Sequence, residues 1–235
     1  MNELLDIKSE LKRYSSPERS QGSIRFFKTG PGEYGEGDKF IGVSVPDTRK
    51  VAKKYYSADL ADVGTLMSSV IHEERLLGLF ILVNKYKKNP KMRDRIFNFY
   101  LDNISRVNNW DLVDSSADKI VGEFLLAQGD LSFLKKLALS DNLWERRIAI
   151  VSTFAHIRAK SYGASLYISD LLLKDNEDLI HKACGWMLRE VGKRNLEILK
   201  TYLIERYKIM PRTMLRYSIE RFPEAERKRY LRGEI

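Results

Sequence analysis

The sequence predicts an all-α protein arranged as an α-solenoid, a row of stacked helix pairs. Three observations lead there. Nearly everything after residue 46 falls into helix-length runs separated by Asn-Pro, Asn-Asn, Gly-Asp, Ser-Asp and Asp-Asn breaks. No series of alternating strands occurs, which excludes a parallel sheet with crossover helices as the main architecture. A degenerate repeat is also present: "EERLLGLFIL" at Arg75, "WERRIAIV" at Arg147, "IHKACGWML" at Lys182 and "MLRYSIE" at Arg216 follow one another at steps of 72, 35 and 34 residues. The first step is two of 36, with a further unit centred near Asp111. A period near 35 in a helical chain is that of stacked helix pairs, with a compact bundle as the structural alternative.

The chain is expected to form one domain over 1–235, with an N-terminal helix and glycine-rich segment in 1–45 and the repeat array in 46–235. Within the first part, "TGPGEYGEGDKF" (29–40) contains G-x-G-x-x-G at Gly30, Gly32 and Gly35. A pyrophosphate-binding fingerprint needs a buried strand before it and a helix directly after it. Here Glu33, Glu36 and Asp38 would repel a phosphate, and "KFIGVSV" follows with strand-like character. The expectation is a flexible tip joining two short extended segments, "SIRFF" (23–27) and "KFIGV" (39–43), as a small β-hairpin. The array then opens at Pro46, a residue suited to a first helical turn. It continues through helix-length runs at 71–89, 90–107, 110–128, 141–159 and 177–195.

Composition narrows the function classes. The only cysteine, Cys184, excludes an internal disulfide framework and fits a reducing compartment. The longest apolar run, "LLGLFILV" (76–83), is too short to span a bilayer, and the charged N-terminal segment is unlike a secretory signal, so a cytoplasmic protein is expected. His72, His156 and His181 have no metal-ligand spacing, and no Gly-Lys-Ser/Thr occurs. Net charge is +9, and residues 182–235 carry 14 Lys and Arg against 7 Glu. That asymmetry suits a polyanion partner, held by phosphate attraction and counterion release.

The repeat supplies a face. Relative to the anchors Arg75, Asp111, Arg147, Lys182 and Arg216, Trp110 falls at −1, Asp114 at +3 and Trp186 at +4. These offsets share one helix stripe. With helices stacked in register about 8–10 Å apart, Trp110, Asp114, Arg147, Lys182 and Trp186 would line one groove. Indoles attract cations, and arginine and lysine hold phosphate. A lone carboxylate in such a groove weakens polyanion binding, so it calls for another task, such as stabilising a developing cation or positioning water. Packed-core tryptophans, first-turn acids that offset the helix dipole, and a solvated arginine stripe are the alternatives.

"NNWDLVDSSADKIVGEFL" (108–125), "SDNLWERRIAIVSTF" (140–154) and "IHKACGWMLREVGKRN" (180–195) resemble the AlkD-type DNA alkylation repair glycosylases, as does "FIGVSVPDTRKVAKKY" (40–55). The likeness covers about residues 40–220. It implies HEAT-like helical repeats, with Asp114 of W-D-x-V-D as the catalytic carboxylate. It also implies that Trp110 and Trp186 contact the lesion-bearing nucleotide, and that Arg147 supports the aspartate and the DNA backbone. Arg75, Lys182, Arg189, Arg212 and Arg216 are the expected DNA-binding cations. The implied activity is excision of cationic N3- or N7-alkylated purines from double-stranded DNA by a monomer, with no cofactor and no metal. Related HEAT-like proteins carrying a hairpin bind branched DNA without glycosylase activity, so the 23–43 hairpin bears on a non-catalytic alternative. A protein-interaction scaffold is a third reading.

Overall fold

The computed structural model describes residues 3–235, which form an all-α helical repeat fold in two compact units, residues 3–116 and 117–235. The first unit contains α1 (Glu3–Lys12), α2 (Pro17–Phe26), α3 (Val45–Lys54), α4 (Leu60–Met67), α5 (His72–Lys88), α6 (Arg93–Asp102) and α7 (Trp110–Ser116). The axis of this unit is α5, which is apolar around most of its circumference. It is buried continuously from His72 to Val83 and packs against α3, α4, α6 and α7. Ser44 starts α3 by accepting a hydrogen bond from the Asp47 amide at 3.3 Å, with Pro46 in the first turn as the sequence predicts.

The expected hairpin over 23–43 does not form. Ser16 caps α2 by accepting the Arg19 amide, Pro17 presets the first turn, and Ser23–Phe26 continue as helix. Residues 39–43 pair elsewhere. Lys39 makes one parallel bridge to Ile71, and the Phe40 and Gly42 carbonyls accept from Ser20 Oγ and Arg19 Nε, both at 2.7 Å. The buried Glu73 carboxylate accepts the amides of Ile41, Gly42 and Val43 at 2.7–3.3 Å. Gly42 sits at φ +75°, where a Cβ would overlap the Ser16 carbonyl, so this crossing requires glycine. The G-x-G-x-x-G segment satisfies its own acids: Glu33 accepts the Gly30 amide and Glu36 the Gly32 amide, each at 2.8 Å.

In the second unit a π-turn (Asp118–Gly122) leads into α8 (Glu123–Gln128), followed by α9 (Ser132–Ala138), α10 (Leu143–Arg158), α11 (Gly163–Leu171) and α12 (Asp178–Arg194). Then come α13 (Leu196–Arg206), α14 (Arg212–Ser218) and α15 (Glu224–Arg232). Here α10 packs on α12 and α12 on α14, while α9 and α11 pack on each other and on α10, and α11 also on α12. The repeat anchors Arg147, Lys182 and Arg216 fall on α10, α12 and α14, one per unit of the period; Arg75 and Asp111 fall on the packed pair α5 and α7. Asn142 caps α10 by accepting the Trp144 amide at 2.8 Å, and Asn195 caps α13. Gly185 lets α12 approach α14, because a Cβ there would overlap Tyr217 and lie 2.6 Å from the Met214 carbonyl oxygen. Among the described residues, no helix is long and apolar enough to cross a membrane.

Candidate functional site

In the first unit, Asn109 starts α7. Its side-chain oxygen accepts the Trp110 amide at 2.8 Å and its carbonyl accepts the Val113 amide at 3.1 Å. Leu112, Val113 and Ser116 turn inward, which leaves Trp110 and Asp114, one helical turn apart, half-buried on the other face. The indole is not alone. Phe27 stacks on it with centroids 5.3 Å apart, and Phe26, at the end of α2, meets it edge-on at 5.6 Å while 64% exposed. Phe27 also stacks on Phe40, and His72 lies 4.8 Å from both phenyl rings. Phe26, Phe27 and Phe40 line a cavity of about 390 Å³ with Val43, Leu76 and His72.

Beneath the aromatic group lies a buried charged cluster. His72 directs Nδ1 at Asp38 (3.0 Å) and Nε2 at Asp111 (2.7 Å). Arg75 Nη2 donates to Asp38 at 2.6 Å, and Asn109 Nδ2 donates to Asp38 at 3.2 Å. Burial disfavours the charged imidazole, but the hydrogen bonds to Asp111 and Asp38 outweigh it and raise the His72 pKa to about 9. Both ring nitrogens then donate at neutral pH. Asp38 is likewise opposed by burial, yet its bonds to His72 and the Arg75 charge hold it below the usual carboxylate range. Sequence reasoning missed Asp38, His72 and the three phenylalanines. The doublet Phe26-Phe27 at the end of a Ser-Pro-capped helix was the available signal, while His72 had no neighbour in sequence to mark it.

Arg75 is a correction. It was expected to face phosphate, but it is 5% exposed, with its guanidinium held by Asp38 and by the Ser69 carbonyl at 3.1 Å. The anchor register placed it on the groove stripe; the acidic end of the glycine-rich segment folds over it instead.

In the second unit, Arg147 is buried on α10 and donates through Nη1 to the Leu179 carbonyl at 2.5 Å. Trp186, on the adjacent α12, is half-buried with Phe154 of α10 tilted against it at 5.9 Å. Lys182 stands one turn before Trp186 and pairs with Asp178 at 2.7 Å. Arg189 pairs with Glu220, and Arg212 donates to the Leu231 carbonyl at 2.7 Å. Arg216 is exposed on α14, with no ion-pair partner among the described residues. Cys184 is buried, and desolvation pushes its thiol up, away from nucleophilic use. No group of three metal-ligating side chains occurs among the described residues.

Comparisons with known proteins follow the same line. The family model described as DNA alkylation repair enzyme matches residues 7–222. A solved structure described as a predicted DNA alkylation repair enzyme from Enterococcus faecalis superimposes with a TM-score of 0.68. It shares 15% identity, and the match covers 89% of this chain and 97% of that one. A chain described as smu.31 from Streptococcus mutans UA159 gives a TM-score of 0.49 at 19% identity, covering 94% and 99%. No curated protein sequence matches the chain.

Proposed function

Because the chain belongs to the DNA alkylation repair enzyme family, we propose that it is a glycosylase that removes cationic N3- or N7-alkylated purines from double-stranded DNA. Asp114 carries this reading: a half-exposed carboxylate one helical turn from an indole, in a protein of net charge +9. An alkyl group on purine N3 or N7 makes the base positive, so it departs as a neutral molecule and needs no general acid. As the glycosidic bond lengthens, charge moves to the sugar, which becomes oxocarbenium-like as in glycoside hydrolysis. The Asp114 carboxylate stabilises that charge and orients the water that adds to the anomeric carbon. The water's oxygen bonds to that carbon, its proton passes to solvent, and the electron pair of the broken bond leaves with the base.

Trp110 meets the lesion-bearing nucleotide with its π-face, backed by Phe27 and flanked by Phe26. Cation–π attraction to the charged base or sugar contributes about 0.5–2 kcal/mol for each desolvated indole. Trp186 is assigned to contact with DNA. Arg147, already donating to the Leu179 carbonyl, is assigned to the DNA backbone. Lys182, Arg189, Arg212 and Arg216 are assigned to phosphate. The ion pairs of Lys182 and Arg189 exchange for phosphate contacts at little cost, since exposed pairs are each worth about 0–1 kcal/mol.

A hairpin at 23–43 would favour the branched-DNA reading, but Ser23–Phe26 end a helix and Lys39 pairs with Ile71 instead. Chromatography of methylated duplex DNA after incubation with the protein tests the glycosylase reading. Free 7-methylguanine or 3-methyladenine is expected, and their absence from the wild-type reaction rejects it. A preference for four-way junctions without any base release restores the binding-only alternative.

A further inference from the structure

His72 is a buried cation in an unfavourable place. As the first residue of α5 it stands at the positive end of the helix dipole, which disfavours a charged imidazole. Its side chain is 2% exposed, so water offers no compensation. Two carboxylates offer it instead, one from each flanking segment: Asp38 at the end of the glycine-rich loop and Asp111 in the first turn of α7. An arrangement that costs this much desolvation has more to hold than a helix end.

What it holds is the segment around Trp110. Asp111, the residue after Trp110, is bonded to His72 Nε2 at 2.7 Å. Asn109, the residue before it, donates to the same Asp38 carboxylate that receives His72 Nδ1, and accepts the Trp110 amide through its own side chain. Both neighbours of the tryptophan are thus tied to one imidazolium. The imidazole ring also lies against Phe27 and Phe40, and Phe27 in turn stacks on the indole. Backbone and ring of Trp110 are fixed from the same point.

We propose that His72 is a positioning residue: clamped between Asp38 and Asp111, it sets the rotation of the first turn of α7 and so the direction in which the Trp110 indole is presented to DNA. The consequence for base release rests on the glycosylase reading above, whereas the clamp itself does not. Asp38 from the loop, Asp111 from α7 and Arg75 from α5, whose Nη2 lies 3.5 Å from Nδ1, are the charged groups facing the ring. Deprotonation leaves one ring nitrogen as an acceptor facing a carboxylate. Either the Asp38 or the Asp111 contact must then open.

The test uses the full-length protein labelled with 5-fluorotryptophan. Its three tryptophans, Trp110, Trp144 and Trp186, give three 19F resonances, each assigned by a Trp→Phe variant. Between pH 7 and pH 10.5 the Trp110 resonance is expected to move with a midpoint near 9, the value to which the two carboxylates raise His72. Trp144 and Trp186 should stay in place through that midpoint. In His72→Leu the Trp110 resonance should be displaced at every pH and lack that midpoint. Single-turnover base release at neutral pH should fall roughly 10- to 100-fold, the scale of a misplaced contact, with duplex affinity within about 3-fold of wild type. Should His72→Leu fail to fold, the wild-type titration and His72→Gln decide the matter. A Trp110 resonance indifferent to both the variants and the titration overturns the proposal, as does wild-type base release by folded His72→Leu. If the wild-type protein releases no base, the glycosylase reading fails while the 19F titration still judges the clamp.

Discussion

Substituting Gly185 by alanine probes the helix contact behind Trp186 without touching a charged or reactive group. An added Cβ would overlap Tyr217 and stand 2.6 Å from the Met214 carbonyl oxygen, nearly 1 Å inside ordinary van der Waals contact. Two effects oppose each other. Alanine is favoured over glycine within a helix by about 0.8–1.0 kcal/mol. Overpacking a close helix contact costs typically 1–3 kcal/mol, more where the obstructing atoms are backbone and cannot rotate away. The Met214 carbonyl is backbone, so the steric cost wins, and a net loss of about 1–2 kcal/mol is expected. Urea denaturation measures it: the midpoint should fall with an unchanged slope, since the same surface unfolds. A midpoint equal to or above that of wild type would show that α12 and α14 separate freely, and would refute the claim that glycine is needed there.

Other expectations follow from the charged groups. The folded-state pKa of His72 is raised from 6.5 to about 9. Its stabilisation, on the order of 3 kcal/mol, is full below pH 6.5, declines as pH rises and is gone once pH passes 9. Denaturation of wild type against His72→Leu at pH 6 and pH 10 should show the gap closing at the higher pH; a constant gap contradicts it. Arg75→Ala removes one charged partner of Asp38 and leaves it His72 and Asn109, and should lower stability by about 1–3 kcal/mol, read by thermal unfolding. If it is as stable as wild type, the Asp38 pairing is unimportant. Arg216→Ala should keep wild-type stability but bind duplex DNA more weakly, with the salt slope of log K reduced by about 1. An unchanged slope removes Arg216 from the phosphate contacts.

The helical fold was legible because the long helices carry their periodicity in sequence: α5, α10 and α12 lie within one or two residues of the runs at 71–89, 141–159 and 177–195. Helices α9, α11 and α15, short and set between turn signals, were less marked. The N-terminal segment misled for a physical reason. Ser23–Phe27 has strand-like composition, but Ser16 and Pro17 start a helix seven residues earlier, and tertiary partners for residues 39–43 were out of view. Trp110 and Asp114 could be placed on one helix face by counting, since four residues make about one turn. Arg75 could not, because counting gives direction but not what folds over it. The Asp38–His72–Asp111 cluster joins residues 34 and 39 positions apart, a separation at which neither periodicity nor a local motif carries information.

Asp114 is the residue on which the account turns, and a single-turnover experiment on a duplex containing one N7-methylguanine addresses it directly. Asp114→Asn keeps the side chain's shape and removes its charge. Base release should slow by about 100-fold or more, an electrostatic loss of roughly 2.7 kcal/mol or greater, while the dissociation constant for the duplex stays within a few-fold of wild type. Excision by Asp114→Asn at the wild-type rate would contradict the account.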